Sequence, residues 1–180
     1  RGMEQALWRQ SLDGGGPARV TNPSNATVAP DGTRYAFTRG GQIWYQGLDG
    51  SEPRVIARVR GGPGSLRWSP DGRLLAFTSG RGSHGFIGGL DVAGESIRWM
   101  DPGVDTDRDP VWSPDGRRLA FIRIAVSTYS VSFRPLRETH PWSIRVADVA
   151  TGTSTEIWRA REGTGSRFYG VTAANQLLWG

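Results

Sequence analysis

The sequence predicts an all-β fold, a β-propeller built of four-stranded antiparallel blades, with about four blades' worth of chain in 180 residues. Three observations carry this prediction: a turn motif occurs three times, short alternating strands separate its copies, and no periodic run is long enough for a helix of three turns. The aspartates of the three motifs, Asp31, Asp71 and Asp115, are 40 and 44 residues apart. That spacing matches the length of one propeller blade.

The repeated motif contains Pro, Asp and Gly in fixed order. It reads Ala-Pro-Asp-Gly at residues 29–32 and Trp-Ser-Pro-Asp-Gly at residues 68–72 and 112–116. Proline presets the second position of a tight turn, Asp accepts hydrogen bonds from the backbone ahead of it, and Gly adopts the left-handed conformation that reverses the chain. An alternating strand with Ala-Phe at its centre follows each copy, so each copy predicts a β-hairpin.

The other elements complete the blades in chain order. Residues 7–12 and 18–21 are predicted to form an outer half-blade, followed by three whole blades and an inner half-blade. The outer strands of the whole blades and the two strands of the inner half-blade are predicted at residues 42–48, 54–59, 85–92, 95–99, 142–149, 154–158, 168–172 and 176–179. The predicted blade boundaries lie near residues 22, 61, 104 and 165.

Two arrangements fit this inventory, because the open edge of each half-blade needs a partner strand. The two halves could pair and close a four-bladed propeller, or the chain could be an open part of a ring of about seven or eight blades. The chain starts with Arg and ends in a strand-like segment, so we expect the larger ring.

One segment interrupts the period. Residues 124–141, which we call the insertion, lie between the second and third strands of the third whole blade. Loops of this length are uncommon in compact domains unless they are functional or mobile. The insertion carries aromatic, cationic and anionic groups, and its candidate substrate-contacting or gating residues are Tyr129, Arg134, Arg137 and Glu138. The alternative is a solvated loop without a specific contact.

Composition excludes several function classes. The formal net charge is +5, but the basic residues are all arginines and are scattered, so we expect no nucleic-acid partner. The sequence has no cysteine, which excludes disulfides and thiolate metal sites. No apolar run reaches the length of a membrane span. We therefore expect no membrane partner, no cofactor and no metal.

Four acidic residues precede the third hairpin, at Asp101, Asp105, Asp107 and Asp109. They lack the Gly and the terminal Glu of an EF-hand loop, so we interpret them as solvated acids that connect strands.

The cellular compartment of the protein is unknown from the sequence; the cytoplasm is favoured, and the periplasm and secretion stay open.

Three segments resemble a known family. Residues 79–88 (SGRGSHGFIG), 101–116 (DPGVDTDRDPVWSPDG) and 141–148 (PWSIRVAD) are similar to the N-terminal propeller of the prolyl oligopeptidase family. The nearest branch is that of the bacterial dipeptidyl-peptidase IV-like and acylaminoacyl-peptidase-like enzymes. The resemblance extends from about Leu12 to Trp179, although Gly80 and Ser83 stand where the family pattern has Asp.

The resemblance implies a function for the parent protein. In this family the propeller covers the mouth of a C-terminal α/β-hydrolase domain, which carries the catalytic Ser, Asp and His, and admits only short peptides. It implies a serine-type peptidase whose partners are a short peptide substrate and the hydrolase domain of the same chain, while this segment carries no catalytic residue. A homo-oligomer stays open. Two rivals remain: a stand-alone TolB-like propeller that binds proteins, and a closed four-bladed lectin-like propeller.

Overall fold

The structure is a computed structural model, and it describes residues 7–10, 14, 16, 18–21, 24–82, 84–125, 142–160 and 179. These residues form fourteen β-strands and no helix. The strands are β1 (Leu7–Arg9), β2 (Ala18–Thr21), β3 (Ser24–Val28), β4 (Arg34–Arg39), β5 (Gln42–Gly47), β6 (Arg54–Arg58), β7 (Gly62–Trp68), β8 (Leu74–Arg81), β9 (His84–Asp91), β10 (Ser96–Trp99), β11 (Thr106–Trp112), β12 (Arg118–Ile124), β13 (Trp142–Asp148) and β14 (Ser154–Arg159).

The strands form three complete blades. Strands β3–β6, β7–β10 and β11–β14 each pair antiparallel in chain order, and β1 pairs with β2 in a separate two-stranded sheet. One parallel bridge, between Gly85 of β9 and Thr106 of β11, joins the second blade to the third. The predicted all-β propeller fold with four-stranded antiparallel blades is confirmed. The predicted inner half-blade lies outside the described residues, except for Trp179.

The Pro-Asp-Gly motifs form the tight turns that the sequence predicts. Gly32, Gly72 and Gly116 have φ angles of 67°, 69° and 69°, which favour glycine. In each turn the glycine N–H donates to the carbonyl oxygen of the residue before proline, at 2.9 Å. The turn chemistry therefore fixes the hairpin between the first two strands of every blade.

The first strand of each blade lies innermost, since β3 contacts β7 and β7 contacts β11. Each of these strands has a bulge opposite its partner. A polar residue with a left-handed backbone occupies the same position of each bulge: Asn25 (φ 51°), Ser65 (φ 47°) and Asp109 (φ 52°).

Apolar side chains form two core clusters between blades. One joins the first and second blades through residues such as Ile56 and Phe77, and the other joins the second and third through Ile87 and Phe121. None of the described residues belongs to a helix that is long and apolar enough to span a membrane.

A series of tryptophans connects successive blades. The indole N–H of Trp68 donates to the Thr27 carbonyl at 3.1 Å, that of Trp112 to Arg67 at 2.9 Å, and that of Trp179 to Val111 at 3.2 Å. The three acceptors occupy equivalent positions of β3, β7 and β11. Trp68 and Trp112 are buried, whereas Trp8 and Trp158 are 56% and 47% exposed.

Candidate functional site

The candidate site surrounds the stem of the insertion, by which we mean the paired ends of β12 and β13 that flank it. Ile124 lies opposite Trp142, and Arg123 lies opposite Ser143. The insertion therefore leaves and rejoins the sheet at neighbouring positions. Because adjacent strands are antiparallel, this connection lies at the end of the blade opposite the β11–β12 and β13–β14 turns.

A buried ion pair lies beside this stem. Asp107, in β11, is 2% exposed. Arg123, near the end of β12, donates from Nε to Oδ1 of Asp107 at 2.7 Å and from Nη2 to Oδ2 at 2.9 Å. Such bidentate, charge-assisted pairs are among the strong hydrogen-bonded contacts in proteins. The pair connects the end of β12, where the insertion starts, to β11, the innermost strand of the blade.

The pair belongs to a larger network. Arg123 also donates to the backbone carbonyl of Asp101 at 2.6 Å and lies 3.3 Å from its Oδ2. Oδ2 of Asp101 accepts from Arg145 Nη2 at 3.0 Å and from the Ser154 hydroxyl at 2.5 Å. Asp101 follows the last strand of the second blade, whereas Arg145 and Ser154 lie on β13 and β14 of the third. The network therefore holds the linker between the blades against the third blade.

A small polar cleft opens over this network. Its volume is about 80 Å³, and it is lined by Asp105, Arg123, Ala125, Trp142, Ser143, Arg145, Glu156 and Arg159. That volume holds a few water molecules and not a peptide. The residues that line the cleft can therefore hold the stem of the insertion in place, but the cleft is too small to be the substrate site itself.

The carboxyl groups of the site have different pKa shifts. Burial raises the pKa of Asp107, and the hydrogen bonds from Arg123 oppose this rise. Burial also acts to raise the pKa of Asp101, but the Ser154 hydroxyl, Arg123 and Arg145 outweigh it and leave this pKa lowered. The hydrogen bonds from Arg159 lower the pKa of Glu156. The network therefore favours the ionised form of Asp101 and Glu156.

The predicted gating residues Tyr129, Arg134, Arg137 and Glu138 lie outside the described residues, so their roles stay predictions. Of the insertion the structure describes only Ile124 and Ala125, and the described chain resumes at Trp142.

The interpretation of all four acids as solvated connectors is wrong for Asp107 and incomplete for Asp101. Asp107 is buried because Arg123 neutralises it, and Asp101 takes part in the network described above. No group of three or more metal-binding side chains occurs in the described part of the chain. Nδ1 of His84 lies 2.5 Å from the Val104 carbonyl oxygen, so this imidazole contacts the linker between the blades.

Sequence reasoning missed the two arginines of the network. Two residues beyond the shared Ala-Phe, the other blades carry Arg39 and Ser79, so only the first blade also has an arginine at the position of Arg123. The signal that could have revealed them is a long cationic side chain within a strand, near an acid-rich linker, because such a charge needs a partner when it is buried.

The fold matches solved propeller structures. Acylaminoacyl peptidase from Pyrococcus horikoshii matches with a TM-score of 0.61 and 15% identity, over 87% of this chain and 28% of that chain. Oligogalacturonate lyase in complex with manganese matches with a TM-score of 0.61 and 17% identity, over 86% of this chain and 47% of that chain. TolB from Acinetobacter baumannii matches with a TM-score of 0.51 and 20% identity, over 85% of this chain and 48% of that chain.

Other peptidase structures also match the fold. No family model and no curated protein sequence matches the chain. This chain spans less than half the length of each of the three proteins named above. Because those three differ in function and their identities are low, the likeness establishes the propeller fold alone.

Proposed function

We propose that the chain is the substrate-gating propeller segment of a serine-type oligopeptidase or exopeptidase of the prolyl oligopeptidase family that cleaves short peptides, and that the segment is itself non-catalytic. The insertion is the gating element. The observation that supports this proposal is the anchored stem: the buried Arg123–Asp107 pair and the Asp101 network hold β12 just before the insertion and β13 shortly after it.

The fold comparison supports a peptidase as the parent protein. Acylaminoacyl peptidase shares the propeller fold, and this chain spans 28% of its length, which leaves room for a hydrolase domain in a longer chain. The described parts of the three sequence segments that resemble the family belong to β8 and β9 of the second blade, to the linker that follows it, and to β11 and β13 of the third blade. The proposed partner domain is a C-terminal α/β-hydrolase domain.

The chemistry of the insertion suits a short peptide. Arg134 and Arg137 can bind a terminal carboxylate, Glu138 can bind a terminal ammonium group, and Tyr129 can pack against an apolar side chain. Charged chain ends are close together only in short peptides, so such contacts discriminate against internal segments of folded proteins.

The test uses the full-length protein that contains this chain. We expect it to react with a fluorophosphonate probe and to hydrolyse peptides at a rate that falls as peptide length increases. The double variant Arg134→Ala/Arg137→Ala is expected to raise KM for short peptides about tenfold, the effect of losing roughly 1.4 kcal/mol of binding, without changing the reaction with the probe. Arg58→Ala, which removes an exposed arginine from β6, is the matched control.

The results separate the peptidase from the scaffold. Probe labelling with peptide hydrolysis that is insensitive to both substitutions would contradict the gating role. Absence of both labelling and hydrolysis would contradict the peptidase. In that case a stable complex with a protein partner would favour the TolB-like scaffold, whose fold the chain also shares.

A further inference from the structure

A groove of about 800 Å³ lies between the second and third blades, at the end opposite the insertion. Its volume is within the range of small-molecule sites. The residues that matter for its chemistry are Arg73, Leu74, Gly89, Arg98, Met100 and Arg117. Met100 is 1% exposed, and Leu74 packs against the core cluster of these two blades, so the floor of the groove is apolar.

The repeat shows what fills the equivalent space between the first and second blades. Tyr45 lies opposite Ala36, and Gly89 lies opposite Ala76. The two alanines occupy the same position of the repeated motif, so Gly89 is the counterpart of Tyr45. The Tyr45 ring packs against the core cluster of the first two blades. Between the second and third blades this ring is absent, because Gly89 has no side chain, and Cε of Met100 lies over the glycine, 3.1 Å from where a Cβ would be.

The groove also contains an arginine at the position of the one that stacks on the Tyr45 ring. The guanidinium carbon of Arg54 lies 5.0 Å from the Tyr45 ring centroid, a cation–π distance. Arg54 pairs with Tyr45 across β5 and β6, and Arg98 pairs with Gly89 across β9 and β10. Arg98 is therefore the counterpart of Arg54, but residue 89 supplies no aromatic ring on which Arg98 could stack.

The carboxylate partner of this arginine is also missing. Arg54 Nη1 lies 2.6 Å from Oε1 of Glu95. In the third blade the equivalent turn position is Gly152: Glu95 and Gly152 have φ angles of 51° and 78°. A Cβ at Gly152 would lie 3.5 Å from Cγ of Arg98, so the position is adjacent but carries no acid. Within the described ranges Arg98 has no ion-pair partner.

The aspartates of the groove are engaged in their own turns. Oδ1 of Asp71 accepts from the Arg73 N–H at 3.0 Å, Oδ1 of Asp91 from the Ala93 N–H at 3.0 Å, and Oδ1 of Asp148 from the Thr151 N–H at 2.9 Å. One oxygen of each carboxylate therefore serves its own turn, and none of the three aspartates forms an ion pair with Arg98 in the described part of the chain.

We propose that this groove binds a ligand with a planar aromatic ring that bears a carboxylate. The ring takes the place that Tyr45 fills between the first two blades, over Met100 and between Leu74 and Arg98, and the carboxylate takes the place of Glu95 at Arg98. A free aromatic acid and the C-terminal aromatic residue of a peptide offer the same chemistry. The site does not depend on the proposed peptidase function.

Calorimetric titration of the full-length protein tests the proposal with phenylpropionate, cyclohexylpropionate and phenylethylamine. We expect phenylpropionate to bind about fivefold more tightly than cyclohexylpropionate, because a saturated ring gains no cation–π contact. We expect phenylethylamine, which has the opposite charge, not to bind. Glycyl-phenylalanine and its C-terminal amide distinguish the two sources: binding of the free dipeptide alone admits a peptide end, and exclusion of both restricts the site to free acids.

Two variants test the location. Arg98→Leu keeps an apolar stem and is expected to weaken phenylpropionate binding about tenfold. Gly89→Tyr supplies the ring from the chain, as in the first blade, and is expected to abolish binding. Arg58→Leu makes the same charge change on an exposed arginine outside the groove and is the control. Circular dichroism checks that each variant is folded.

Failure of phenylpropionate to bind the wild-type protein would overturn the proposal. Equal affinity of the wild type and Arg98→Leu would also overturn it, and this variant changes only an exposed side chain, so it tests the site even if Gly89→Tyr does not fold.

Discussion

At the scale of single residues, the hydroxyl beside each turn aspartate stabilises the hairpins. The Ser113 hydroxyl donates to Oδ1 of Asp115 at 2.6 Å and accepts from the Arg118 N–H at 2.9 Å. Ser69 makes the same two contacts in the second blade. In the first blade Ala29 has no hydroxyl, and Asp31 accepts instead from the hydroxyl of Thr33 at 2.8 Å. The carboxylate therefore has a hydroxyl donor in every blade, but from two different sequence positions.

Removal of one such hydroxyl should lower stability. Ser113 is 4% exposed, so Ser113→Ala leaves the Arg118 N–H without its acceptor and should lower the free energy of unfolding by about 1 kcal/mol. Chemical denaturation measures the change. Ser96→Ala, at an exposed position, is the control and should change stability by less than about 0.5 kcal/mol. A Ser113→Ala variant as stable as the control would contradict the role of the hydroxyl.

The same turns should make stability depend on pH. The Ser69 hydroxyl and then the Arg73 N–H lower the pKa of Asp71, and equivalent donors lower the pKa of Asp115. A lowered folded-state pKa contributes stability above the unfolded value near 4, and that contribution is lost as the pH falls through the folded pKa.

We therefore expect the melting temperature to fall between neutral pH and about pH 3. The double variant Asp71→Asn/Asp115→Asn should show a shallower fall, because these two carboxylates no longer titrate. Thermal melts monitored by circular dichroism at several pH values measure the slope. Identical slopes for the wild type and the variant would contradict the assignment.

At the scale of elements, the blades depend on close contacts between facing strands. Gly88 of β9 lies opposite Phe77 of β8, and a Cβ at Gly88 would overlap the Phe77 ring. Phe77 is fully buried and packs edge-on against Trp99, with ring centroids 5.6 Å apart, so it has no room to move. The glycine allows this aromatic ring to lie across the sheet.

A methyl group at this position should be destabilising. Gly88→Ala should lower the free energy of unfolding by about 1–3 kcal/mol through overpacking. Gly80→Ala on β8 is the matched control, because a Cβ there meets no atom within 4 Å. Denaturant titration of both variants gives the comparison. Equal costs for the two substitutions would show that the loss comes from glycine chemistry in strands and not from the contact with Phe77.

The indole contacts between blades make a second prediction. Trp112→Phe keeps most of the ring volume but leaves the Arg67 carbonyl without its indole donor, so it should cost about 1 kcal/mol. Trp112→Ala also leaves a cavity and should cost about 3–5 kcal/mol. Trp8→Phe, at an exposed side chain, is the control. The ratio of the two losses, measured by denaturation, separates the hydrogen bond from packing; equal losses would contradict the separation.

The sequence predicts the repeating elements well and the contacts between them poorly. The Pro-Asp-Gly turns are local chemistry, so their three copies predict the hairpins directly. The burial of Asp107 depends on Arg123, which is 16 residues away, and neither residue belongs to the repeat motif. The groove also needs cross-strand register, because only the pairing of Gly89 with Ala76 identifies it as the counterpart of Tyr45. Such pairings follow from tertiary packing.

At the scale of the whole molecule, the Asp101 network, which includes Arg123 and Arg145, joins the linker that follows the second blade to the third blade. Asp101 N–H donates to the Gly152 carbonyl at 2.7 Å, which adds a backbone contact between the linker and the third blade. Together with the Gly85–Thr106 bridge, these contacts should make the second and third blades unfold together.

Loss of the buried cation tests this coupling. Arg123→Met leaves Asp107 buried without its partner and should lower the free energy of unfolding by about 3–5 kcal/mol. Arg123→Met/Asp107→Leu should cost less than the sum of the two single variants, because it leaves no unpaired charge. Hydrogen exchange should increase in both the second and third blades of Arg123→Met. Faster exchange confined to β12 would contradict the coupling.

The tryptophan contacts also have a direction along the chain. In every described pair the carbonyl acceptor precedes its indole donor: Thr27 precedes Trp68, Arg67 precedes Trp112, and Val111 precedes Trp179. A ribosome makes the chain from its N-terminus, so each acceptor strand leaves the exit tunnel before the tryptophan that binds it. Each new blade can therefore dock on a completed predecessor during translation, and the propeller can assemble vectorially, one blade at a time.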